Sequence, residues 1–279
     1  MNTELNSELN NSKTAELNIR QEYRQPTQFQ RITSVWYRHV KVYIKNIFSN
    51  ALPPFLEPLI FLAGIGIGFG AYVQTIGNIN YILFLASGII VTSAMFSASY
   101  ECTFGTFIRL VFDKAYDGML GAPLSVNSLI TGEILFVGTK GAFFSFAVLV
   151  VIWAAGIVNY PLSLLTIFIG FLTGIMFGTV SMFITSFVNN INHFNFYFTG
   201  LLSPMFFLSG VVFPMDKLPR ALASFGEALP LTHVVRLARA FCIPGMLAPS
   251  LFLDLLYCIV FTAVTGWLAV RGLKKRMII

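Results

Sequence analysis

Glu57, Glu101, Glu133 and Lys140 stand at or inside long apolar runs of a 279-residue sequence that is 56% hydrophobic and 11% charged. A charge at the centre of an apolar span costs roughly 2.5–3.5 kcal/mol on insertion scales, so such groups must pair with one another or face water. Two chemistries suit them: an ion-paired network that ties spans together, or a polar vestibule or relay open to a substrate or ion. Glu133 and Lys140 share a helix face but lie two turns apart, so Lys140 is expected to meet a carboxylate from another span. A second set, His233, Arg236 and Arg239, recurs at three-residue spacing. It suits an anionic headgroup, or alternatively pairing with Glu227 and Asp254.

Catalytic constellations are missing from the sequence. There is no GxSxG or HExxH, and His39, His193 and His233 are too scattered to imply a metal site. Cys102, Cys242 and Cys258 are odd in number and show no CxxC spacing, which suggests neither a disulfide framework nor a zinc site. The run GEILFVGTKG at 132–141 lacks the spacing of a nucleotide loop and falls inside an apolar segment. The chain is therefore expected to hydrolyse no ATP and to hold no cofactor or metal of its own.

The elements that must position these groups are membrane spans. Soluble proteins carry about 25% charged residues, and an apolar content this high is solvated by lipid rather than by water. The expected fold class is an all-α integral membrane protein with six transmembrane helices, near 51–74, 81–101, 130–157, 162–188, 194–213 and 250–271, each about the 20 residues needed to cross the hydrocarbon. Residues 1–27, rich in Asn, Glu, Ser and Gln, read as a disordered tail with no apolar run behind the start for a cleavable signal. Residues 28–49 place Ile32, Trp36, Val40, Tyr43 and Ile47 opposite Arg31, Arg38, Lys41 and Lys45, the pattern of an amphipathic helix lying in the interface with its apolar face in acyl chains. An ordinary basic flank is the plainer alternative. Residues 50–279 form the six-helix domain.

The net charge of +6 arises from basic residues beside the spans, so they determine topology rather than bind nucleic acid. Lys and Arg gather before the first span, at Arg109 and Lys114, and at the C-terminal end, which places both termini on the cytoplasmic side. Glycines at Gly64/Gly68, Gly66/Gly70 and Gly170/Gly174/Gly178 have the spacing of close helix packing, or of a sliding contact. Residues 214–249 are too polar to span and too apolar for a free loop, and their Pro and Gly breaks suggest short re-entrant helices. Phe194, Phe196, Tyr197, Phe198, Phe206 and Phe207 suit either stacking on sugar rings or facing lipid.

The charge-bearing break FSASYECTFGTFIRLVFDKAYDGMLGAPLSVNSLITGE, residues 96–133, organises the chain. After Glu101 it reads as a short amphipathic helix broken by Gly118, Gly121 and Pro123, with Ser125 to Ser128 as candidate caps for the third span. Spacing alone leaves a docking helix and a solvated loop equally open.

Several blocks in order carry a family resemblance: Glu57-Pro58-Leu59, ECTFGTFIRL, DKAYDGMLGAPLS, GEILFVGTKGA, SPMFFLSGVVFPMDKLP and LPLTH followed by Arg236 and Arg239. The chain resembles the permease subunit of type-2 ABC exporters over roughly residues 29–276, and within them the nodulation-factor, or lipo-oligosaccharide, export permeases. Ser87-Gly88 departs from the usual Pro-Gly, and Ala122 from the usual Thr before Pro123. The resemblance implies a half-transporter: two copies side by side in the inner membrane, each served by a separate cytoplasmic ATPase that binds ATP and Mg. It implies that residues 107–123 form a coupling helix, with Phe107, Asp113, Tyr116, Asp117, Met119, Leu120 and Pro123 as motor contacts, and that an amphiphilic glycolipid is exported. A secondary transporter or channel, with Glu57, Glu101, Glu133 and Lys140 as an ion relay, is the rival from another class.

Overall fold

A computed structural model describes residues 26–48, 52, 56, 60–70, 72–73 and 75–277. The expected N-terminal tail, Glu57 and most of the first half of the first expected span lie outside the described residues.

The first helix, α1 (Gln28–Lys45), begins at a capping box: Thr27 Oγ1 accepts from the Gln30 amide at 3.3 Å while Gln30 Oε1 accepts from the Thr27 amide at 2.9 Å. Part of its apolar side turns to the bundle. Val35 and His39 are buried against the helix that follows Ser125, where a methyl at Gly132 would lie 2.7 Å from Val35 Cβ. Trp36 Nε1 donates to Thr139 Oγ1 of the same helix at 3.1 Å. A glycine there lets two backbones approach, so the stripe is half-buried as far as Tyr43 while Ile47 at its end stays 40% exposed.

A wide-turned helical stretch, Leu62–Ile67 followed by Gly68–Gly70, leads to a two-residue hairpin, β1 (Thr75–Ile76) and β2 (Ile79–Asn80), turned at Gly77 with φ +60°. The long helix α2 (Tyr81–Phe112) starts at Asn80, whose side chain accepts from the Ile82 amide at 2.8 Å. It runs eleven residues beyond the expected end at residue 101, through wide turns at Glu101–Gly105 and Ile108–Phe112. Such turns loosen the regular backbone ladder. Thr185 Oγ1 from a neighbouring span donates to the Cys102 carbonyl at 2.8 Å, binding one of them to the bundle. Residues 102–112, expected as part of the loop helix, therefore continue the long helix that begins at Tyr81.

At Lys114 the chain turns through the left-handed region with φ 47°, an uncommon conformation outside glycine, and enters α3 (Ala115–Leu120). Ser125 caps α4 (Val126–Ala154) by accepting from the Ser128 amide at 3.1 Å, as expected. Then come α5 (Pro161–Thr185), α6 (residues 194–208), α7 (Arg220–Glu227), α8 (Pro230–Cys242) and α9 (Leu251–Met277).

Among the described residues, α2, α4, α5 and α9 are long and apolar enough to cross a membrane. The fifth expected span, 194–213, is shorter than predicted: α6 stops at Leu208, and the chain turns at Gly210 with φ +75°. The short helices expected between 214 and 249 are present. α2 forms the centre of the bundle, with 78% of its apolar window buried, whereas only 11% of the α9 window is, so α9 lies at the periphery. Close packing of small residues joins α4 to α5: a methyl at Gly141 would sit 2.6 Å from the Gly170 carbonyl oxygen, and one at Gly174 2.8 Å from the Val137 carbonyl oxygen. The close packing expected of the glycines of the fourth span, 162–188, is thus realised on α5 at Gly170 and Gly174. Gly64 and Gly68 instead face open space, with no atom of the described chain within 4 Å of a Cβ placed there.

Candidate functional site

Three elements meet where α2 leaves the bundle. Glu101 and Arg109 come from the widened end of α2, Glu133 and Lys140 from the first half of α4, and Tyr116 from α3. Lys140 Nζ contacts Glu101 Oε2 at 2.7 Å, and Arg109 Nη1 contacts Glu101 Oε1 at 2.7 Å. Arg109 Nη2 also pairs with Glu133 Oε1, which accepts from Thr106 Oγ1 at 2.8 Å, while the Tyr116 hydroxyl donates to Glu133 Oε2. Two cations thus match two carboxylates, and both oxygens of the fully buried Glu133 are occupied. A buried carboxylate is tolerable under such full pairing and strongly destabilising without it.

The expectation that Lys140 meets a carboxylate from another span is met by Glu101. Of the expected network, three members come together here, and Glu57 lies outside the described residues. Arg109 is the member that sequence reasoning missed, because it was placed beyond the end of the span, on a segment left open between a docking helix and a solvated loop. Its signal was the spacing of a cation two turns beyond Glu101, which only a helix continued past residue 101 brings into register. Tyr116 and Thr106 were likewise invisible as members.

His39 of α1 packs over this cluster, its ring centroid 5.3 Å from that of Phe136, and its Nδ1 lies 2.9 Å from the Val35 carbonyl. Burial holds its imidazole below the ordinary value of 6.5, against the opposing pull of Glu133. A cavity of about 380 Å³ opens beside the network, lined by Arg38, His39, Tyr43, Glu101, Arg109 and Lys140. The structure therefore places an ion-paired network and a polar recess next to each other.

The segment projecting below the network divides into two parts. Asp113, Asp117 and Pro123 are exposed, and Met119 and Leu120 are half-buried. Phe107 and Tyr116, expected to touch a partner, are corrected by the structure. Phe107 is buried among Phe112, Phe194 and the Arg276 guanidinium, and Tyr116 is 1% exposed. The family resemblance offered them as motor contacts, whereas the contacts they make here are with the chain itself. Burial and the Glu133 carboxylate hold the Tyr116 hydroxyl well above its ordinary range, so it stays a donor.

At the other end of the bundle, the second candidate set is mostly consumed by internal pairing. His233 Nδ1 contacts Asp254 Oδ1 at 2.6 Å, Arg236 reaches the same oxygen at 3.3 Å, and Arg236 also pairs with Glu227. Arg239 joins none of these pairs. The aromatic cluster likewise turns inward: Phe198 stacks on Tyr100 with ring centroids 4.2 Å apart, and the Tyr197 hydroxyl lies 2.9 Å from Ser181 Oγ. Phe196 and Phe207 remain open to the surroundings.

A helical bundle with several membrane-crossing helices, a buried neutral charge cluster and an exposed elbow has the architecture of a transport protein. The family model of the ABC-2 type transporter matches residues 30–243, and the chain belongs to that family: it is a membrane permease. Among curated relatives, it is 31% identical over 248 residues to Nodulation protein J of Sinorhizobium fredii, covering 88% of this chain and 93% of that one. It is 34% identical over 206 residues to Nodulation protein J of Rhizobium leguminosarum bv. trifolii, covering 74% and 79%. A more distant relative is the inner membrane transport permease YadH of Escherichia coli, 19% identical over 208 residues with 73% and 79% covered.

Proposed function

We propose that this permease is the passive half of an ATP-driven exporter for an amphiphilic glycolipid or lipo-oligosaccharide, worked by a separate cytoplasmic ATPase that binds ATP and Mg. The observation that carries this reading is the tether beneath the elbow. Asp113, Asp117 and Pro123 are free to meet a partner, while Tyr116, beside Asp117 on α3, is locked to Glu133 of α4 and through Arg109 to α2. Force applied to α3 is delivered to two spans at once, because a fully paired cluster has no slack. With Met119 and Leu120 at their edge, the exposed positions form the motor contact.

In this reading six spans cross the inner membrane, with residues 51–74 and α6 completing the set, and the helices between 214 and 249 dip into the outer leaflet. Both termini are cytoplasmic. Arg276, near the end of α9, reaches the Thr185 carbonyl and lies over Phe107, so the basic C-terminal residues share one end of the bundle with Arg38 and Arg109, in keeping with the positive-inside tendency. A second copy of the chain packs beside the first, and the open faces of Gly64 and Gly68 favour such a contact. A cavity of about 170 Å³ between Phe61, Phe96, Phe206 and Phe207 offers apolar walls to a lipid tail.

The test is reconstitution of the permease with its ATPase in proteoliposomes. Asp117→Ala is expected to insert normally and leave ATP hydrolysis running while glycolipid export falls. Export unchanged in Asp117→Ala and Asp113→Ala together removes the elbow from the coupling contact. Export driven by an ion gradient in the absence of any ATPase would favour the relay reading of Glu101, Glu133 and Lys140.

A further inference from the structure

Arg239 is a half-buried cation with no carboxylate partner among the described residues. Its Nη2 donates to the Gly210 carbonyl at 2.9 Å and lies 3.4 Å from the Phe84 carbonyl, its Nε is 3.4 Å from Ser87 Oγ, and the guanidinium sits 3.7 Å over the Phe84 ring. Neutral partners solvate a guanidinium without cancelling its charge. The carboxylates nearby are committed elsewhere: Asp254 to His233 and Arg236, and Glu227 to Arg236. Asp216, at the rim of the same cavity, is 72% exposed and lies 3.9 Å from Lys217.

A second observation points to the same place. Ser209 Oγ is buried, with the residue 1% exposed, and has no hydrogen-bond partner among the described residues. Ser209 and Arg239 line one cavity of about 300 Å³. An adjoining cavity of about 630 Å³ shares Arg236, Arg239 and Met246 with it and is walled by Leu251, Leu253 and Tyr257 of α9. The outer face of α9 is apolar, with Leu253 66% and Val260 54% exposed.

We propose that Arg239 and Ser209 form a binding site for a phosphate-type monoanion, with the groove along α9 placed to take the apolar part of a lipid that carries it. A guanidinium and a hydroxyl both donate, which matches the acceptor-only oxygens of a phosphodiester. The site lies apart from the coupling machinery. Phe84 and Arg109 are separated along α2 by 25 residues, or about 37 Å at 1.5 Å per residue. It does not depend on the export reading, and its failure would leave the elbow untouched.

The experiment uses the full chain in three dodecyl maltoside preparations stripped of phospholipid: detergent alone, detergent with added phosphatidylglycerol, and detergent with added inorganic phosphate. Thermal stability and lipid retained in native mass spectrometry are the readouts. The wild type is expected to be stabilised by an anion, with apparent affinity falling roughly tenfold in Ser209→Ala, the loss expected for one hydrogen bond to a charged group. The effect is expected to vanish in Arg239→Gln and to persist in Arg38→Gln, a charge change at the far end of the bundle. Because Arg239 also clamps Phe84 and Gly210, Arg239→Gln risks misfolding. Ser209→Ala removes an oxygen that bonds to nothing and keeps the test decisive. A gain confined to phosphatidylglycerol supports the site and assigns the anion to lipid, while a gain with inorganic phosphate alone supports it and assigns a soluble source. Anion effects equal in wild type, Ser209→Ala and Arg239→Gln, or absent from all three, overturn it.

Discussion

Glu133 is the side chain on which the charge cluster turns, since Arg109, Thr106 and Tyr116 all converge on its two oxygens. Glu133→Gln leaves Arg109 in a buried site with only Glu101, and is expected to cost about 3 kcal/mol, at the lower end for breaking a buried pair. Thermal unfolding in detergent measures this, and a Glu133→Gln/Arg109→Gln double variant should recover part of the loss because no lone charge remains. His39 makes a pH prediction. Its folded-state value is depressed by burial from the ordinary 6.5, so the unfolded chain binds the proton more readily. Its contribution is complete above the unfolded value and is lost as the pH falls from there toward the folded one. Melting temperature is expected to drop between about pH 7 and pH 5, and replacing His39 with Phe should flatten that slope.

Helices in this protein are held at two kinds of contact, and they respond to substitution in opposite ways. Where α4 crosses α5, backbone faces backbone, so Gly141→Ala has nothing flexible to push aside and is expected to cost about 1–3 kcal/mol through overpacking. Gly64→Ala and Gly68→Ala meet open space within the described chain and should leave monomer stability unchanged. Self-association measured in nanodiscs is where their effect should be seen. The same contrast separates Tyr116 from Asp117 on the six-residue helix α3. Tyr116→Phe removes a buried hydroxyl donor to Glu133 and should lower stability by about 1.5–3 kcal/mol, whereas Asp117→Ala should affect work done with a partner and not the fold.

The molecule as a whole places its two polar centres at opposite ends of α2, with an apolar bundle between them. One end carries the exposed elbow over a neutral ion cluster, and the other carries paired groups around Asp254 with Arg239 left over. Such a division suits a conduit whose driving force arrives at one surface. Co-purification with its ATPase, and stimulation of that ATPase by the permease, is the expected outcome at this level; stimulation should survive Ser209→Ala, and in variants of the elbow hydrolysis should continue without export.

Composition and apolar runs determined that the chain is a helical membrane protein, because burying this much apolar surface in lipid requires helices whose backbone groups are satisfied within each span. Insertion cost alone required Glu101, Glu133 and Lys140 to find partners or face water. Partner identity was beyond local pattern: a period of 3.6 residues assumes a regular helix, and the widened turns after Glu101 rotate Arg109 and Thr106 onto Glu133. Spacing also could not distinguish an apolar stripe facing lipid from one facing protein, so the burial of α1 against Gly132 and of Phe107 and Tyr116 under their own bundle emerged only in three dimensions. Side-chain type sets what a residue must avoid, whereas packing between distant segments decides what it touches.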